Sequence, residues 1–211
     1  MPAKINSYAK KLKALQKRKH HRLRDIGDQW QTPKKIATGL ARHFAPQLGP
    51  VVLDMFADDC NHLYPNYYTA RQNALTQDLA ADLKRLSGAA YANPPYSRPF
   101  AEDDQFITGM CPIIDYCRQQ ADAGAKILLL VKAATSEAWW PDDADFIQFI
   151  AGRITFSAPE WYRPKDSKKD APTSAGLASA VIIFDRDWPG EARPLARLSR
   201  DELILLGSGA E

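Results

Sequence analysis

The apolar run Lys126-Ile127-Leu128-Leu129-Leu130-Val131 constrains the fold more than any other stretch of the chain. It is one strand long and offers no polar side chain after Lys126, so it reads as a buried strand. Val51-Val52-Leu53-Asp54-Met55-Phe56 reads the same way. Between such runs the period changes to that of helices. Ile36, Leu40, Phe44 and Leu48 form one helical stripe. Thr32 is its expected N-cap, with Pro33 at the first helical position, and Gly49-Pro50 stops it. Ala57 to Tyr68 reads as irregular, interrupted by Pro65. Leu79 to Leu86 reads as a short helix and Ala89 to Ala92 as a short strand. Phe106 to Ala121 reads as a helix that Pro112 must kink or split. A short helix is expected after Pro141, and further strands at Arg153 to Phe156 and Ala180 to Phe184. Strands alternating with helices predict an open α/β sheet, mostly parallel, with helices on both faces. Ligands of such sheets bind outside the carboxyl ends of the strands. Asp54 and Asn93 lie at or near such ends on different strands, so the fold predicts that they converge on one cleft.

With 211 residues, 45% of them hydrophobic, the chain can bury one good core. The expected organisation is a basic helical N-terminal arm over 1–27, one catalytic domain over 28–190 and a C-terminal extension over 191–211. No apolar run approaches the roughly 20 residues that a membrane span needs. The basic N-terminus has no apolar segment of the kind that marks a secretory signal. Cys60, Cys111 and Cys117 then predict a reducing compartment, the cytoplasm. They read as ordinary thiols and not as metal ligands, because Cys111 and Cys117 have no second Cys/His pair.

The net charge of +3 is unevenly spread. Residues 1–24 hold nine Lys and Arg and no Asp or Glu, whereas the remainder carries a net −6. Such asymmetry predicts an arm that meets a polyanion. Ile5, Tyr8, Leu12 and Leu15 form an apolar stripe on that arm, suited to dock on the body of the protein or on a second subunit. A homodimer is therefore one expectation. Lys10, Lys11, Lys17, Arg18 and Lys19 are candidate phosphate contacts on the faces left over. The turn-rich loop Ser157 to Gly176 adds Arg163, Lys165, Lys168 and Lys169. For any single lysine, a solvated side chain is the competing interpretation.

The strand Ala89 to Ala92 delivers Asn93-Pro94-Pro95-Tyr96. The Asn side-chain oxygen and the first Pro carbonyl are acceptors, and together they suit the two N–H groups of a planar exocyclic amine. The prolines fix φ and remove two donors, so the acceptors stay aimed. Tyr96 offers a ring for a base to stack on. Asn-Pro and Pro-Pro also mark ordinary turns, so the motif draws its weight from its context.

In that context the chain resembles the phage-type, Dam-like DNA N6-adenine methyltransferases. Five blocks carry the resemblance in order: Asp28-x-Trp30-x-Thr32-Pro33; Leu53-Asp54-x-x-Ala57-Asp58 with Asn61; Leu75-x-x-Asp78; Asn93-Pro94-Pro95-Tyr96-Ser97; and Gly152-Arg153-Ile154-Thr155-Phe156. The resemblance implies a class I, Rossmann-like methyltransferase sheet whose last strand runs antiparallel. It implies S-adenosylmethionine as methyl donor, adenine in DNA as acceptor, and direct transfer to a flipped or unpaired base. Asn93, Pro94, Pro95 and Tyr96 become the candidate catalytic residues. Asp28, Trp30, Thr32, Pro33, Asp54, Ala57, Asp58, Asn61 and Asp78 become the candidate cofactor residues. Alternatives stand beside several of these. Asp54 can cap the turn after its strand instead of facing the methionine amino group. Asp78 can cap the helix from Leu79, and Asn61 can shape its loop. The turn Phe56-Ala57-Asp58-Asp59-Cys60 lacks the glycines common in the wider superfamily. That departure supports a rival, a binding protein that kept the fold and lost turnover; RNA adenine and cytosine N4 are rival acceptors.

Overall fold

A computed structural model describes residues 5–172 and 175–190. Its centre is a six-stranded sheet in the order β2-β1-β3-β6-β8-β7. These strands are β1 (Val51–Ala57), β2 (Asn66–Thr69), β3 (Ala89–Ala92), β6 (Ile127–Lys132), β7 (Phe146–Phe156) and β8 (Ala175–Phe184). β2, β1, β3 and β6 run parallel, whereas β8 is antiparallel to both β6 and β7. The expected sheet with an antiparallel last strand is thus present. A separate hairpin, β4 (Phe100–Glu102) and β5 (Gln105–Thr108), precedes the helix before β6.

Period-two alternation sorts the strand residues into two cores. Leu53, Met55, Ala90, Ala92, Ile127, Leu129, Ile182 and Phe184 face one side. There they meet α3 (Leu79–Leu86) and α4 (Met110–Asp122) through Leu79, Leu83, Ile113, Ile114 and Cys117. Ala89, Tyr91, Leu128, Leu130, Val181 and Ile183 face the other, against Phe44 and Leu48 of α2 (Lys34–Leu48). Ile36 and Leu40 complete that stripe. Helices therefore cover both faces, and β6 is buried because each of its faces meets a different core.

The structure departs from the sequence reading at five places. Asn66–Thr69 forms the edge strand β2 where an irregular segment was expected. Residues 66–69 pair with β1 through Leu53↔Asn66 and Asp54↔Tyr67, and Pro65 stands just before the strand begins. Pro112 neither kinks nor splits α4. It lies in the first turn, where a missing N–H removes no intrahelical bond. Phe106, expected in that helix, belongs to β5. The hairpin turns at Asp103 and Asp104, both at positive φ, which fits the right-handed twist of paired strands. The expected helix after Pro141 is a turn, and the chain enters β7 at Phe146. Finally, α2 begins at Lys34 with Pro33 at the cap, so Thr32 is not the capping side chain.

The basic arm forms α1 (Ser7–Gln16), capped by the Asn6 side chain, which accepts from Ala9 N–H. It lies on the body of the same chain. Asn6 Nδ2 donates to the Ala70 carbonyl at 2.7 Å, and Ser7 N–H donates to a Glu102 carboxylate oxygen at 2.7 Å. Of the apolar stripe, Tyr8 meets Phe100 of the same chain, with ring centroids 6.4 Å apart. The expected C-terminal extension over 191–211 lies outside the described residues.

Candidate active site

Two cavities open at the carboxyl ends of β1, β3 and β6. The first is lined by Trp30, Met55, Phe56, Ala57, Asp58, Asn61, Asn73 and Ile107, and is roofed by Tyr8 and Leu12 of α1. The second is lined by Gly27, Pro94, Tyr96, Lys132, Phe156 and Ser179 among others. Asp28, Trp30 and Asn93 line both. The tetrapeptide is therefore the wall between the cavities, with Pro95 on the first side and Pro94 and Tyr96 on the second.

The corner is held from several directions. Asn93 Nδ2 donates to the Trp30 carbonyl at 3.3 Å, which assigns Oδ1 as the free acceptor of that amide. One Asp28 oxygen accepts from Tyr96 N–H at 3.0 Å and Ser97 N–H at 2.9 Å. Burial, then the same carboxylate, holds the Tyr8 hydroxyl above the ordinary phenol range. Tyr96 is fixed at its far end too, where its hydroxyl accepts from Lys132 N–H at 2.7 Å. Burial raises the affinity of the Tyr96 hydroxyl for its proton. Beneath the corner, the Tyr91 hydroxyl donates to Thr32 Oγ1 at 2.8 Å, both side chains being buried.

The turn after β1 explains how the chain manages without glycine. Asp58 Oδ1 accepts from Cys60 N–H at 2.7 Å and from Asn61 N–H at 2.8 Å. A carboxylate closes this turn, so no residue of it needs positive φ. Asp58 also stays on the cavity wall. Asp59 is exposed and accepts from the Tyr67 hydroxyl at 3.3 Å.

Several candidate cofactor residues occupy other places. Asp54 is 4% exposed and accepts from Phe56 N–H at 3.3 Å and Leu63 N–H at 3.1 Å. It braces the loop through these two bonds and lines neither cavity. Burial pushes its carboxyl up to about 6. Asp78 caps α3 by accepting from Ala81 N–H at 3.0 Å and does not line either cavity. A short 3₁₀ turn, Ala74–Thr76, precedes it. Thr32 and Pro33 line neither cavity. Asn61 both shapes its turn and lines the first cavity.

Tyr8, Leu12, Asn73 and Ile107 in the first cavity, and Lys132 and Ser179 in the second, were not foreseen. Tyr8 and Leu12 belonged to the apolar stripe of the arm, which is the signal that pointed to them. Lys10, Lys17 and Lys19 are exposed, whereas Lys11 lies 5.4 Å over the Phe100 ring and Arg18 faces Asp25 at 3.8 Å. Lys165, Lys168 and Lys169 are exposed, and the Arg163 guanidinium donates to the Glu160 and Tyr162 carbonyls. Among the described residues no group of His, Cys, Asp or Glu is arranged to hold a metal ion, and no helix is long and apolar enough to cross a membrane.

Comparison with known proteins agrees with this geometry. Residues 19–209 match the family model described as DNA N-6-adenine-methyltransferase (Dam). The chain is also 44% identical over 91 residues to the protein named "Putative methyltransferase YfdM" of Escherichia coli (strain K12), an alignment that covers 43% of this chain and 96% of that protein. The match over 19–209 takes in the Trp30 segment, the second cavity, the first cavity apart from Tyr8 and Leu12, the tetrapeptide and the antiparallel strand, and by it the chain belongs to the DNA N6-adenine methyltransferase (Dam) family.

Proposed function

We propose that the chain methylates the N6 amine of adenine in DNA, using S-adenosylmethionine bound in the first cavity and an extruded or unpaired base bound in the second. The observation that carries this reading is the shared wall. Asn93 borders both cavities and keeps one side-chain oxygen for an incoming amine because its nitrogen is bonded to the Trp30 carbonyl.

The first cavity suits the donor in its chemistry. Met55, Phe56 and Ile107 give apolar walls for a nucleoside base, while Asp28, Asp58, Asn61 and Asn73 supply acceptors for hydroxyls and a cationic amino group. When bound, the donor supplies an electrophilic methyl on a sulfonium. Everything else falls to the side chains of this protein. Asn93 Oδ1 and the Pro94 carbonyl accept from the target amine and favour localisation of its lone pair on nitrogen. Tyr96 supports the base by stacking. Asp28 holds the corner in register through the backbone N–H groups of Tyr96 and Ser97. No cysteine lines either cavity, and no enzyme-bound intermediate is required.

The test is a methylation assay with isotopically labelled S-adenosylmethionine on matched DNA and RNA, with the modified nucleoside identified by mass spectrometry. N6-methyladenine in DNA from the wild type, absent with Asn93→Ala, is the expected result. Label in RNA only, or in N4-methylcytosine, would replace the acceptor. Failure to bind S-adenosylmethionine in calorimetry would favour a protein that kept the fold without turnover.

A further inference from the structure

We infer that the basic arm and the basic loop after β7 form one DNA-contact platform, joined through His21 and rooted on the rim of the second cavity. The inference rests on the reading of the acceptor as DNA. His21 is 1% exposed, although it lies in the most basic part of the chain. Its Nε2 lies 2.9 Å from the Leu15 carbonyl, and its Nδ1 accepts from Arg163 N–H at 3.1 Å. A carbonyl only accepts and an N–H only donates, so these partners assign a neutral ring with its proton on Nε2. The backbone is paired at the same point. His21 N–H donates to the Arg163 carbonyl and Lys165 N–H donates to the His21 carbonyl, both at 2.7 Å. Trp161 and Tyr162 close around the ring at 5.1 and 5.7 Å between centroids.

Two further ties make the junction rigid. Leu23 N–H donates to Asp170 Oδ1 at 3.0 Å, and the Tyr162 hydroxyl donates to the Asp170 carbonyl at 2.7 Å. At the root, Gln31 and Ser157 exchange backbone hydrogen bonds at 2.8 and 2.9 Å, directly after Phe156 of the second cavity. Residues 17–25 and 160–170 together hold nine basic and four acidic side chains. Three of those acids are turned to backbone donors. Asp25 accepts from Arg22 N–H, Asp166 from Lys168 and Lys169 N–H, and Asp170 from Leu23 and Asp166 N–H. Lys17, Lys19, Lys165, Lys168 and Lys169 are left exposed on the outside. This is a cationic surface braced from within, and a phosphate backbone beside the extruded nucleotide is the polyanion that it fits.

The test is binding of the full-length protein to a labelled duplex of about 20 base pairs as salt is varied. Neutralising Lys17 and Lys19 to Gln, or Lys165, Lys168 and Lys169 to Gln, is expected to flatten the slope of log Kd against log salt by about 0.9 per lost contact. His21→Phe removes no exposed cation and keeps a ring in place, yet is expected to flatten the slope as much as the loop substitutions do. As a second measurement, photo-crosslinkers at positions 19 and 165 are expected to mark the same stretch of about five nucleotides, since Lys165 pairs directly with His21, two residues along from position 19. Slopes unchanged in both charge variants, a wild-type slope in a folded His21→Phe protein, or crosslinks to unrelated stretches would each overturn the single platform. If His21→Phe does not fold, the crosslinks decide. A wild-type protein that binds no duplex even at low salt would overturn both this inference and the DNA reading beneath it.

Discussion

The Lys132 ammonium lies 4.5 Å from the centroid of the Tyr96 ring, while Lys132 N–H holds the hydroxyl of the same tyrosine. Both residues line the second cavity, so a base that stacks on Tyr96 from that cavity takes the place of the ammonium. A cation left over the base would also oppose the positive charge that develops on an amine under methylation. Under the proposed stacking of the target base on Tyr96, Lys132 moves aside. The contact is worth about 0.5–1 kcal/mol at a half-exposed site. Lys132→Met, which keeps the stem and removes the charge, is expected to raise the extruded population about two- to fivefold at saturating DNA. Fluorescence of 2-aminopurine at the target position measures it, and an unchanged signal would rule out the blocking role.

Asn93 makes a second, graded prediction. Asn93→Ala removes the acceptor and is expected to lower kcat by about 10²–10³-fold. Asn93→Asp keeps an acceptor but loses the donor that anchors it to the Trp30 carbonyl. Its kcat is expected to fall between those of wild type and Asn93→Ala, with donor affinity changed little in both. Full activity in Asn93→Asp would show that the anchor to Trp30 is dispensable.

The roof over the first cavity yields a third. The free space beneath Tyr8 and Leu12 is about 80 Å³, well below the roughly 300 Å³ at which ligand pockets begin. α1 has to lift to admit a nucleoside-sized ligand. No residue of α1 is fully buried, so the domain does not depend on it for its core. Deleting residues 1–13, which removes Tyr8 and Leu12 but leaves the Leu15 carbonyl for His21, is expected to speed release of S-adenosylmethionine about tenfold, equivalent to about 1.4 kcal/mol, with little change in melting temperature. Stopped-flow displacement measures the rate. Unchanged release would mean that the helix is not a roof in solution.

Asp54 predicts a pH effect on stability. Its folded-state carboxyl is raised from 3.8 to about 6, chiefly by burial. Between these values the folded state binds more protons than the unfolded state, so stability falls as pH rises through that window and levels off above it. The penalty at neutral pH is about 3 kcal/mol. Asp54→Asn is expected to remove most of the slope between about pH 4 and pH 6 in urea unfolding. A slope as steep as that of the wild type would assign the effect to other groups.

Much of the architecture was legible because buried parallel strands leave a strong mark. β6 and β3 appeared as apolar runs within a residue of their bounds, and α3 at its own bounds. β2 was missed because it is a short edge strand, Asn66–Thr69, with only Tyr68 buried. The hairpin was missed because Asp103 and Asp104 reach positive φ without a glycine to announce it. At the site, the Asn93 corner was legible from residue types alone. The backbone partners of Asp54 and Asp78 were not, since a carboxylate that faces a ligand and one that caps a turn look the same in sequence. The bonds from Phe56, Leu63 and Ala81 are formed only in the fold. The junction at His21 lay beyond any local pattern, because its partner Arg163 is 142 residues away in the chain.

The partition at Asn93 bears on the order of events. One compartment is walled by α1, the β1 turn and β5, the other by Lys132, Phe156 and Ser179. Under the proposed assignment of donor to the first and base to the second, the two ligands enter by separate doors. That assignment then predicts that a spent donor is exchanged while the polymer stays seated and that successive sites are modified in one encounter.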